Sequence, residues 1–142
     1  MTSTTGASAA VAPPAEEQAA VAAVMKRIVD AWGAYDADAF ANTFTEDGTM
    51  ILPGLYRKGR DEIRDYMAKG FAGPYQGTQV TGVPFDVRFL AEDTALLLSL
   101  GGVLGPGETE VAKDKAVRAA WLLVKREGEW LLAAYQNSPS ES

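Results

Sequence analysis

From Trp32 to Ile63 the chain reads W-G-A-Y-D-A-D-A-F-A-N-T-F-T-E-D-G-T-M-I-L-P-G-L-Y-R-K-G-R-D-E-I. This stretch is a helix end, a short helix, a turn, a strand, a loop and a helix start in quick succession. Upstream, Val21, Val24, Met25, Ile28, Trp32 and Tyr35 recur at three- and four-residue steps, the mark of one buried helical stripe. Pro13 and Pro14 precede it, and Glu16 and Glu17 sit where acidic groups favour a helix start, so helix one is expected over residues 15–34. Asp36 is placed to cap a short helix through Phe44, with Phe40 and Phe44 one turn apart. Glu46-Asp47-Gly48 reads as a turn, and a strand from Thr49 to Leu52 stops at Pro53-Gly54. Gly59-Arg60-Asp61 opens a third helix with Ile63, Tyr66, Met67 and Phe71 as its apolar positions, ended by Gly73-Pro74.

Strands fill the rest. Val83, Phe85, Val87 and Phe89 alternate with Pro84, Asp86 and Arg88, the period of a half-buried strand. After a turn at Glu92-Asp93, T-A-L-L-L-S-L-G-G-V-L is apolar on both faces and reads as a central strand. A Gly/Pro loop follows, and residues 116–125 and 130–136 form a hairpin across Glu127-Gly128-Glu129. Three helices toward the N-terminus and then antiparallel strands mean an α+β domain, with the helices packed on one curved, mainly antiparallel sheet. The domain is expected over residues 15–138, between a disordered tail at 1–14 and a short tail at 139–142. A chain of 142 residues is enough for one core.

The residue inventory narrows the chemistry. The chain has no His and no Cys, which removes thiolate nucleophiles, imidazole bases, disulfides and His- or Cys-based metal sites. No metal or cofactor is therefore expected, and any acid or base must be Asp, Glu, Tyr, Lys or water. A net charge of −6 and a pI near 4.6 argue against nucleic-acid and anionic-membrane partners. Without a signal peptide or an apolar run long enough to span a bilayer, a cytoplasmic protein is expected.

F-T-E-D-G-T-M, K-G-R-D-E-I and the closing A-W-L-L-V-K-R-E-G-E-W-L-L-A-A-Y-Q-N-S resemble the nuclear transport factor 2-like superfamily. Within it the chain is most similar to the SnoaL-like branch, and its last hairpin resembles that of SgcJ/EcaC-type proteins. The resemblance, over roughly residues 16–138, implies a cone-shaped, cystatin-like fold with a mixed sheet and a small-molecule cavity. It also implies a homodimer formed through the outer sheet face, and a place in polyketide, notably enediyne, biosynthesis. Superfamily isomerases use a Tyr on helix one and an Asp before the Pro that ends the first strand; here those positions are Ile28 and Leu52. The dehydratase branch uses a His-Asp pair that this chain cannot supply, and Gln136 stands where relatives often carry His.

Candidate ligand contacts are the amphipathic aromatics and the polar end of the last strand: Trp32, Tyr35, Tyr56, Tyr66, Trp121, Tyr135, Gln136 and Asn137. One alternation of that strand points inward, either Gln136 or the Tyr135/Asn137 pair. Arg118 is a candidate for holding an anionic group, against a surface ion pair as the alternative. Tyr135, Asn137 and Asp86 are the candidates for catalysis, and a solvated outer face or a dimer interface competes for Asp86. The paired acids at Glu16/Glu17, Asp36/Asp38, Glu46/Asp47, Glu92/Asp93 and Glu108/Glu110 sit at helix starts and turns, where capping and solvation account for them. Two functions follow: binding of an apolar polyketide-type intermediate, with cofactor-free cyclisation or isomerisation, or non-catalytic binding as an accessory of the same pathway.

Overall fold

The computed structural model describes residues 13–140; most of the expected N-terminal tail, and residues 141–142, lie outside them. Helix α1 (Ala15–Gly33) buries Val21, Val24, Met25, Ile28 and Trp32, the stripe its spacing predicts. Each such side chain contributes about 1.5–3 kcal/mol on leaving water. Helix α2 (Ala37–Asn42) starts at Asp36, whose carboxylate accepts the Ala39 N–H at 3.0 Å. Removing such a cap typically costs about 1 kcal/mol. Helix α3 (Arg60–Ala72) buries Ile63, Met67 and Phe71.

Six strands form one sheet in the order β2-β1-β6-β5-β4-β3. They are β1 (Phe44–Leu52), β2 (Leu55–Lys58), β3 (Gln79–Ala91), β4 (Thr94–Leu104), β5 (Val117–Arg126) and β6 (Glu129–Pro139). All neighbours are antiparallel except β1 and β6, so the sheet is mixed, curved and open. The expected β5–β6 hairpin forms, with a turn one residue tighter than expected: Glu129 already pairs with Arg126, and Glu127 at φ 52° and Gly128 at φ 80° make the mirror-image turn that suits the strand twist. Glu17 ties α1 to this hairpin by accepting from Lys125 Nζ and from Trp130 Nε1.

Four expectations are corrected. Glu46-Asp47-Gly48 is not a turn but lies inside β1, where the pairing jumps from Phe44–Leu132 to Thr49–Ala134. A bulge absorbs the turn-forming residues, and Thr45 Oγ1 donates to Asp47 Oδ1 within it at 2.9 Å. Phe44 therefore belongs to a strand, although its ring still meets Phe40 at 5.9 Å. Pro53-Gly54 is followed by β2, which returns along β1, rather than by a loop. Finally, β3 is longer than residues 83–89 and is bulged around Phe85, and Val83, Phe85 and Val87 are 64%, 59% and 42% exposed. Strand β3 lies at the sheet edge, and among the described residues no further strand stands beside it to cover them. At the other terminus β6 runs one residue past the expected domain end, Pro139 pairing with Val117.

Candidate functional site

The inner face of the sheet and the three helices enclose a cavity of about 590 Å³. Room arises because small residues border it: Gly82 on β3, Gly101 and Gly102 on β4, and Ala119 on β5. At Gly101 the requirement is steric, since a Cβ there would stand 2.0 Å from the Thr81 carbonyl oxygen. The walls are apolar, built from side chains such as Ile28, Phe40, Met50 and Leu132. No carboxylate lines the cavity among the described residues; its one charged bordering residue is Lys115, which is exposed.

Three polar pairs break the apolar lining. Trp32 Nε1 donates to Thr78 Oγ1 at 2.9 Å, and Thr78 Oγ1 donates in turn to the Tyr75 carbonyl at 2.6 Å. Trp121 Nε1 donates to Ser99 Oγ at 2.9 Å. Tyr66 and Tyr75 share a hydrogen bond between their hydroxyls at 2.6 Å, with the Arg57 guanidinium 5.3 Å from the centre of the Tyr66 ring on its face. Burial, then the bond from Tyr66, raises the Tyr75 phenol far above the ordinary range.

The end of β6 is different. Tyr135 pairs with Trp121 and Asn137 with Ala119, both inward-facing residues of β5, so the alternation places Tyr135 and Asn137 in the cavity and Gln136 outside. The Tyr135 ring meets Trp121 edge to face at 4.8 Å. Asn137 Nδ2 donates to the Tyr135 hydroxyl at 3.0 Å, and Asn137 Oδ1 has no partner. It is the one buried side-chain oxygen or nitrogen so placed among the described residues. Turning the amide over would let the phenol donate to Oδ1 and free an amide N–H instead. Either way the pair retains one donor and one acceptor for a third group. Burial pushes the Tyr135 phenol above its usual range, the Asn137 bond partly opposing, so at neutral pH Tyr135 is a neutral donor and not a base.

Of the candidate ligand contacts, the cavity thus gathers Trp32, Tyr66, Trp121, Tyr135 and Asn137. Tyr35, Tyr56, Arg118, Gln136 and Asp86 lie away from it. Helix α1 ends at Gly33 and Tyr35 takes φ 54°, which carries its side chain off the helical stripe to 40% exposure. Tyr56 is 55% exposed on β2, while its neighbour Leu55 faces the cavity. Arg118 pairs with exposed Leu100, and Asp86 with Leu98, on the outer side of β4. Ile28 and Leu52 both border the cavity and bring no ionisable group to it. Tyr75, Thr78 and Ser99 were not anticipated. Ser99 carried a signal, as the single hydroxyl within an apolar strand; Tyr75 and Thr78, in the loop after α3, carried none.

The chain resembles several solved structures. A domain of unknown function with a cystatin-like fold from Nostoc punctiforme is 26% identical, with a TM-score of 0.82 over 91% of this chain and 80% of that one. A ketosteroid isomerase-like protein from Erwinia carotovora atroseptica is 24% identical, with a TM-score of 0.71 over 91% and 100%. A provisionally assigned scytalone dehydratase from Novosphingobium aromaticivorans is 18% identical, with a TM-score of 0.72 over 87% and 84%. No curated protein matches the chain significantly. The SnoaL-like domain family matches residues 13–136, nearly the whole described chain. With its sheet order, enclosing helices and inward cavity, the chain belongs to the SnoaL-like domain family and has the cystatin-like fold of the NTF2-like proteins.

Proposed function

We propose that the protein binds an apolar polyketide-type intermediate of secondary metabolism, in a pathway of the enediyne kind, and folds it for cofactor-free cyclisation or isomerisation. The observation that carries this reading is the cavity: about 590 Å³, apolar, with a hydrogen-bonding pair at one place on its wall. Such a volume holds on the order of 20–30 non-hydrogen atoms, within the range of sites for small organic molecules. Catalysis here would come from holding the ligand in a reactive shape and from hydrogen bonds to developing oxyanion character, because no carboxylate borders the cavity. Its setting would be cytoplasmic, and no helix among the described residues is long and apolar enough to cross a membrane.

One observation favours a second reading, a non-catalytic binder or accessory of the same pathway. At the two positions where superfamily isomerases place their acid–base groups, the cavity presents Ile28 and Leu52. The test incubates purified protein with a panel of apolar polyketides and polyenes and follows them by chromatography with mass detection. A protein-dependent product supports the catalytic reading. Stoichiometric depletion of a free compound without product supports the binder. Neither outcome, across the panel, would overturn both.

The partner we propose is a second copy of this chain. Exposed Val83, Phe85, Leu90 and Leu100 concentrate on β3 and the adjoining part of β4, where Val83 pairs with Leu100. An exposed apolar band of this kind is the usual mark of a protein contact, and a twofold pairing would cover it on both copies at once.

A further inference from the structure

We infer that the Tyr135–Asn137 pair reads a neutral ligand bearing a hydroxyl and a carbonyl on adjacent carbons. This deepens the functional reading above and rests on it, because it assigns the chemistry of the group that the cavity presents to its ligand. A buried polar atom without a partner costs free energy in the empty protein, and the other polar pairs along the wall are satisfied internally. Asn137 Oδ1 is the exception, and it is held in register by the phenol beside it. The unused donor and acceptor of the pair belong to side chains two residues apart on one strand, bonded to each other at 3.0 Å. A ligand satisfying both must itself carry an acceptor and a donor at comparable spacing, which an α-hydroxyketone does. A carboxylate fits the same wall poorly, since the one bordering cation, Lys115, is exposed to solvent and the wall beside the pair is apolar, where a charge left unpaired is far costlier than an unpaired dipole.

Four probes test this: tetralin, 2-hydroxy-1-tetralone, 1-oxotetralin-2-carboxylate and its methyl ester. Binding is read from tryptophan fluorescence, Trp32 and Trp121 both bordering the cavity, with Nile red as a neutral dye for occupancy of the cavity itself. In the parent protein, we expect the ester to bind at least about tenfold more tightly than the acid at neutral pH. Asn137→Leu should weaken 2-hydroxy-1-tetralone by about tenfold while leaving tetralin within about twofold. Tyr135→Phe is the second variant and should show the same selectivity, with an unchanged far-ultraviolet circular dichroism spectrum certifying the fold of each. If both variants move tetralin and hydroxyketone alike, or move neither, the pair does not read the ligand. If the acid binds as tightly as the ester, the ligand is not neutral. If neither Nile red nor any probe binds the parent protein, it is the small-molecule reading of the cavity that fails.

Discussion

Removing both members of the Tyr135–Asn137 pair should leave the protein as stable as before, or more so, whereas removing Tyr135 alone should weaken it. Tyr135→Phe deletes the acceptor of the amide bond and leaves the Asn137 amide with neither end paired. Each buried unpaired group costs about 1–3 kcal/mol, so this variant should lose about 2 kcal/mol. Asn137→Leu strands the phenol but relieves Oδ1, two changes of similar size and opposite sign, and should move stability by less than about 1 kcal/mol. Tyr135→Phe with Asn137→Leu loses one hydrogen bond, a net cost of about 1 kcal/mol, and leaves nothing unpaired. The larger leucine extends into an existing cavity of about 590 Å³ and adds apolar burial. The double variant should therefore lie between about 0 and 2 kcal/mol above the parent, with a coupling of about 2–4 kcal/mol between the sites. Urea unfolding of the four proteins measures this, and thermal scans should follow at about 4 °C per kcal/mol for a domain of this size. A double variant destabilised by more than about 1 kcal/mol would refute the reasoning, because the pair would then be holding the end of β6 in place.

Two further outcomes follow from contacts outside the cavity. The Lys125 ammonium, then the Trp130 indole, hold the Glu17 carboxyl below its ordinary value of 4.5, so its stabilisation is present above that value and disappears as pH falls through the lower folded-state value. Glu17→Gln should accordingly flatten the loss of stability between neutral and acidic pH, as read by denaturant unfolding at each pH. Phe85→Glu should convert a dimer to a monomer in sedimentation velocity, since it puts a charge into the exposed apolar band of β3; a parent protein that sediments as a monomer would end the proposed self-association.

Where local chemistry and tertiary structure agreed, the sequence was a good guide. Strand β4 is the apolar run T-A-L-L-L-S-L-G-G-V-L from end to end, and α1 departs by one residue from its expected span. The β5–β6 hairpin was legible because Gly128 takes, without strain, the positive φ that a tight hairpin turn requires. Glu46-Asp47-Gly48 misled for the complementary reason: these residues suit a turn, but pairing with β6 extended the strand through them and confined their irregularity to a bulge. The candidate site was half legible. Residue types pointed to Trp32, Trp121, Tyr135 and Asn137, yet the choice between Gln136 and its two neighbours depends on register against β5, which no local pattern in β6 contains. Tyr75 approaches Trp32, ring centres 4.6 Å apart, and its ring fits because Gly70 has no Cβ, a juxtaposition created only when the chain after α3 folds back.

The placement of β6 has a consequence for how the molecule comes into being. Of the six strands, β6 is made after the other five, and it joins β1–β2 to β5–β4–β3 by a parallel pairing with a strand some ninety residues earlier. A chain in which β6 is not yet made or not yet docked therefore has two separate ribbons with bare edges and no closed wall for the cavity. Because Tyr135 and Asn137 ride on that same strand, the polar pair arrives only with β6. Ligand capture and final chain closure are thus linked in time: a molecule that settles between α1 and the sheet would act on the last step of folding and slow the strand's departure.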